Sequence, residues 1–150
     1  MAIHDPHRIV LPASPEHLDT ANRFLSDETP EDFRGKLMKI QTAVEELLMN
    51  IFRYAHAPQL GGQAEIGCRV AHLDGERYFC VFLRDWGRPY NPFAQAPRPD
   101  LQAGLAERPI GGLGLHIVKK VSAHYCYSRH AETNEVTLFF APEKAHAPPP

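Results

Sequence analysis

Two strand-like segments meet across Asp74-Gly75, and no other feature limits the fold of this 150-residue chain as strongly. Asp-Gly is a two-residue hairpin sequence. Both central positions of the matching turn need positive φ, which Gly adopts freely and Asp tolerates. Before the turn, Ile66, Cys68 and Val70 alternate with polar neighbours, as a half-buried strand does. After it, residues 78–83 are continuously apolar, as in a strand buried on both faces. A second hairpin is expected from strands at 125–130 and 135–140, turning around 132–134. An edge strand around Ile9 to Leu11, bounded by Pro6 and Pro12, precedes both. Adjacent strands paired in this way predict a mixed, mostly antiparallel sheet.

Helical segments separate the strands. Ser14-Pro15-Glu16 reads as a helix start with Ser14 as N-cap, and Leu18, Ala21, Phe24 and Leu25 follow as its apolar stripe. Thr29-Pro30-Glu31 repeats the signal with Thr29 as cap. The stripe of Leu37, Ile40, Val44, Leu47, Leu48, Ile51 and Phe52 predicts one long helix ending near His56, since Pro58 bars continuation. Residues 89–109 hold five prolines and read as a long mobile loop with a short helix around 101–106. Gly111-Gly112-Leu113-Gly114 then opens a helix through Leu115, Val118 and Val121 to about His124. The expectation is one α+β domain over residues 1–140, a two-layer sandwich with helices on one face, and a disordered Pro/Ala-rich tail over 141–150.

Composition narrows the partners. A formal net charge of −2 argues against nucleic acid or an anionic membrane as the main partner. The longest apolar run, residues 78–83, is far short of the roughly 20 residues of a membrane span. A soluble cytoplasmic protein is expected. Cys68, Cys80 and Cys126 form no close pair, and buried reduced thiols are the expectation for all three. His4 and His7 lie in a segment expected to be frayed. No two-histidine helical pair stands beside a carboxylate, so a dedicated zinc site is not expected.

Three clusters carry possible chemistry. Glu46 and Asn50 are four apart, hence on one helix face. A carboxamide oxygen suits Mg²⁺ and a carboxylate can accept a proton, though a solvated polar face has the same spacing. Asp85-Trp86-Gly87-Arg88-Pro89 follows the apolar strand. Asp85 can accept from an exocyclic amine and Gly87 lets backbone approach a planar base, but Gly and Pro equally suit a plain turn. The glycines at 111, 112 and 114 expose backbone N–H groups at a helix start, where the dipole favours phosphate. They equally suit a hinge. Their G-G-x-G spacing is neither a dinucleotide fingerprint nor a Walker sequence.

In this order, the clusters resemble the E-x-x-x-N, D-x-G-x-P and G-x-G boxes of the GHKL (Bergerat-fold) ATPases, over roughly residues 9–140. The strings Ala43 to Asn50 with Arg53-Tyr54-Ala55, Arg84 to Pro92, and Gly111 to Leu115 with Ile117-Val118 are similar to the anti-sigma-factor serine kinases of bacterial partner switching. The resemblance implies the following roles. ATP and Mg²⁺ bind; Glu46 is the general base; Asn50 holds Mg²⁺. Asp85 reads the adenine amine with Gly87 against the ring. Arg53, Gly111, Gly112, Leu113, Gly114, Leu115 and, on the last strand, Thr137 complete the nucleotide site.

There are departures too. Tyr54 stands where many relatives have His, lid Arg108 is off the spacing of a γ-phosphate arginine, and Asn134-Glu135 lacks the glycine often found before the last strand. A free-standing domain suits the switch kinases, since neither a phospho-accepting histidine helix nor a transducer domain accompanies it. The implied function is a serine/threonine kinase and anti-sigma factor acting on a STAS-type antagonist, with a sigma factor as a further partner and a homodimer as its state. The alternative is a nucleotide-dependent binding module that sequesters a regulator without phosphoryl transfer.

Overall fold

The computed structural model describes residues 6–55, 62–95 and 112–143. Strand β1 (His7–Pro12) leads through a 3₁₀ turn (Pro15–His17) into helix α1 (Leu18–Glu28). A second 3₁₀ segment (Glu31–Lys36) leads into α2 (Leu37–Asn50), whose last turn widens into a π-helix (Ile51–Ala55). The hairpin β2 (Gln63–Leu73) and β3 (Glu76–Asp85) follows, then a one-turn helix α3 (Pro92–Gln95), helix α4 (Gly112–Val121) and the hairpin β4 (His124–His130) and β5 (Thr133–Phe140). The five strands form one sheet in the order β1-β2-β3-β5-β4. Every pairing in it is antiparallel, so the sheet is more uniform than the mixed one expected.

Asp74 and Gly75 have φ of 51° and 80°, the turn their sequence implies. They fix Leu73 opposite Glu76, and the register carries Ala64 opposite Asp85. Strand alternation then sorts the side chains. Leu11, Ile66, Val81, Leu83, Leu138 and Phe140 fall on one face and join the core with Leu25, Ile40, Val44, Leu47 and Val118 from the helices. Helices therefore cover a single face, as expected.

The outer face is closed by charge rather than by a second layer. Phe82 lies against Gly67 on the neighbouring strand, where any Cβ would overlap its ring. The Arg8 and Arg84 guanidiniums sit 5.5 Å and 5.9 Å from the Phe82 centroid. Arg84 in turn bridges Glu65 and Glu135 at 3.1 Å and 2.8 Å. This explains why residues 79–83 are buried although helices pack on one side only.

Several local expectations are corrected. Thr29 opens no helix: its hydroxyl donates back to the Leu25 carbonyl and closes α1. Ser14 sits at its N-cap position without a side-chain capping bond. The long helix keeps α-geometry only to Asn50, and the Ile51 N–H is shared between the carbonyls of Leu47 and Leu48; its expected end at His56 lies outside the described residues. His7 is not frayed, since it opens β1 and meets Glu28 at 2.6 Å. Cys68 and Cys80 are buried, and burial pushes the Cys80 thiol up to about 11, but Cys126 on the edge strand β4 is exposed. The last turn falls at residues 131–132, ahead of the expected 132–134. In the expected tail, the Glu143 N–H donates to the Asp32 carbonyl; residues 144–150 lie outside the described residues. So does the expected short helix at 101–106, whereas α3 forms earlier, its Phe93 ring 4.5 Å from that of Tyr125.

Candidate functional site

The site lies where the end of β3 meets α2. Parity on β3 brings Asp85 to the helix-facing side as the last residue of an apolar strand, and it is only 4% exposed. Its Oδ1 accepts from the Gly87 N–H at 2.9 Å and from Asn134 Nδ2 at 3.0 Å. Buried carboxylates persist when partnered in this way. The register explains the second partner, because β5 sets Asn134 directly opposite Asp85. Asn134 Nδ2 also donates to the Arg88 carbonyl at 2.8 Å, while Tyr127 Oη donates to Asn134 Oδ1 at 2.6 Å. Arg129 holds the Gly87 carbonyl at 2.8 Å, which fixes the turn after Asp85. A cleft of about 320 Å³, open solvent at its edge included, lies above this group. Leu47, Ile51, Leu83 and Val136 wall it, and Asn50, Asp85 and Asn134 are its polar points. Apolar walls with a few convergent polar groups suit a planar heterocycle.

Along α2 the character changes. Asn50 is 4% exposed, and its Nδ2 donates to the Glu46 carbonyl at 3.1 Å. Its Oδ1 is buried with no hydrogen-bond partner among the described residues. An orphaned amide oxygen costs roughly 1–3 kcal/mol, and a hard cation would satisfy it. One turn earlier the Glu46 carboxylate lies against Gly114 in the first turn of α4, where a Cβ would overlap it. Burial, and secondarily the Glu45 charge, raise the Glu46 pKa, while Arg53 opposes them. The orphaned amide oxygen fits a magnesium ion, which Asn50 Oδ1 would hold.

The structure thus brings Glu46, Asn50 and Gly114 together, and Asp85 with Gly87. Arg53 is exposed on the π-turn and reaches Glu46 only through its charge. Gly112 begins α4. Leu113 is helical, with nothing described of its side chain, and Gly111 and Arg108 lie outside the described residues. Leu115 has its side chain in the core at 4% exposure, which leaves its backbone for a ligand. Thr137 is corrected. It lies three residues beyond Asn134, an odd step, so it points to the outer face opposite Phe82 and Cys126. The residue that β5 delivers to Asp85 is Asn134, with Tyr127 behind it. In the sequence Asn134 stands out only as a departure from the family's usual glycine, and Tyr127 not at all. Only the pairing of β3 with β5, across 49 positions of chain, reveals them.

The sequence model of the histidine kinase-like ATPase domain matches residues 11–140. The fold is similar to the crystal structure of the RsbU and RsbW domains of Rv1364c from Mycobacterium tuberculosis, with a TM-score of 0.56 and 14% identity. That match covers 95% of this chain and 34% of the other, so this chain spans about a third of that structure. No curated protein matches the chain.

Proposed function

This chain belongs to the histidine kinase-like ATPase domain family, and from that premise we propose that it is an ATP-dependent serine/threonine kinase and anti-sigma factor acting on a STAS-type antagonist. The observation that carries the reading is the Asn50 Oδ1, without a partner among the described residues, buried one helical turn from Glu46 and bordering the same cleft as Asp85. Asp85 accepts from the exocyclic amine of adenine, and the apolar walls take the ring. Asn50 is the ligand for Mg²⁺, which when bound neutralises phosphate charge. Glu46 takes the proton of the attacking serine or threonine hydroxyl, and its raised pKa makes it the stronger base. The likeness to a structure containing an RsbW domain supports a place in partner switching; the proposal adds a sigma factor as second partner and a homodimer as the working state.

Calorimetry with Mg·ATP on the protein and its Asp85→Asn variant tests the nucleotide site. Labelled phosphate transfer to a STAS-domain protein, with Glu46→Gln alongside, tests the kinase. Tight ATP binding and partner capture without any transfer would select the alternative, a nucleotide-dependent module that sequesters its partner. Absence of ATP binding in the protein itself would end both readings.

A further inference from the structure

We infer that Asn134 and Tyr127 are the positioning residues that make this cleft select a 6-aminopurine over a 6-oxopurine, an inference that rests on reading the cleft as a nucleotide site. A side-chain amide can face either way, and its orientation decides which hydrogen-bonding character Asp85 shows a ligand. Here the neighbours leave no choice. The Arg88 carbonyl can only accept, and it takes Asn134 Nδ2 at 2.8 Å. The Tyr90 backbone N–H can only donate, and it reaches Asn134 Oδ1 at 3.2 Å. The Tyr127 hydroxyl adds a second donor to Oδ1 at 2.6 Å, so both ends of the amide are pinned by unlike groups.

The remaining Nδ2 hydrogen is therefore aimed at Asp85 Oδ1, at 3.0 Å. The Asp85 carboxylate, which receives this amide N–H and the Gly87 N–H, acts as an acceptor. Its complement on a purine is the donor amine at C6. A reversed amide would set its oxygen against both Asp85 and the Arg88 carbonyl. Only the donor end of the amide matches an acceptor at Asp85, so the pinned orientation is the one that goes with a C6 amine. Because β4 pairs with β5 so that Tyr127 lies opposite Val136, the hydroxyl reaches the amide from the edge strand.

The test is the ratio of dissociation constants for Mg·ATP and Mg·ITP, measured by calorimetry. Inosine differs from adenosine at C6, where a carbonyl replaces the amine. The protein should prefer ATP by tenfold or more. Asn134→Asp, nearly the same shape, replaces the donor with an acceptor; it should weaken ATP at least tenfold and bring the ratio near one. Tyr127→Phe removes only the hydroxyl and should lower the ratio at least threefold; it decides alone if Asn134→Asp does not fold. A merely structural role would weaken both nucleotides equally, so an unchanged ratio in the folded variants overturns the inference while leaving ATP binding in place. A ratio near one in the unsubstituted protein overturns it as well. If that protein binds neither nucleotide, the reading of the cleft falls and takes this inference with it.

Discussion

The two ends of the cleft are built on opposite principles. At the sheet end, Asp85 and Asn134 are almost fully buried, and all four hydrogen-bonding positions of the Asn134 amide are taken by protein groups. At the helix end, Asn50 is equally buried but its oxygen has no partner among the described residues, and the neighbouring Glu46 carboxylate is held partly desolvated. The first end offers a fixed pattern of hydrogen-bonding groups. The second keeps unmet electrostatic demand, which a cation and phosphates would satisfy. Folding stability is generated at the first and given up at the second, the usual division between a recognition group and a reactive one.

The contrast can be broken from either side. The largest effect belongs to Glu46→Gln: phosphate transfer should fall by roughly 10²–10⁴-fold, the range for a lost general base, with ATP affinity unchanged. The same variant checks the electrostatics. Because folding raises the Glu46 pKa, its contribution to stability is fully present below about pH 4.5 and is lost as pH rises through the folded value. Glu46→Gln should therefore lose less stability than the unsubstituted protein above pH 4.5, read by denaturant titration at several pH values. A parallel pH dependence in the two proteins would show that Glu46 is as well solvated folded as unfolded.

Asp85→Asn comes next. Losing a charge-assisted bond of about 2–3 kcal/mol should weaken ATP by roughly 30–150-fold, visible in calorimetry. Asn50→Leu sharpens the comparison, because it should act in opposite directions. Without ligand, thermal unfolding should show about 1 kcal/mol more stability, since a buried orphan oxygen is replaced by an apolar group of similar size. The Mg²⁺ dependence of ATP binding should disappear. Loss of stability instead would mean that the oxygen is already satisfied in solution.

The smallest effect concerns the turn that delivers Asn134. Ala131 has φ 52°, a left-handed conformation disfavoured for a residue with a Cβ. Ala131→Asn should stabilise the protein by less than ~1 kcal/mol, by relieving that conformation, and leave ATP affinity as it was. A change in affinity would mean that the turn sets the register less firmly than the strands suggest.

Local chemistry made one end of the cleft legible and hid the other. Glu46 and Asn50 are four apart on a helix, so the periodicity that predicts α2 also predicts their common face. Asp85 ends a run whose apolar continuity marks a central strand. Asn134 carries no such sign. Its position depends on a two-residue turn at Ala131–Glu132 and on pairing with a strand 49 residues away, and a single-residue change in that register would have pointed it outward. The same alternation sends Thr137 to the outer face and makes it a poor candidate for the base. Thr29 misled for a related reason, because a threonine hydroxyl closes one helix as readily as it opens another.

By itself, then, the sequence determined the elements, the antiparallel hairpin at Asp74-Gly75, the helical face of Glu46 and Asn50, and the family, because each depends on neighbours within one turn or one strand. Tertiary structure alone decided which polar group meets Asp85, which glycine must yield to the Glu46 carboxylate, and that the Asn50 oxygen stays unmet among the described residues. Those three facts arise where β3, β5, α2 and α4 converge. Burial there assigns every polar atom a partner or leaves it wanting one, and distance along the chain carries no information about the outcome.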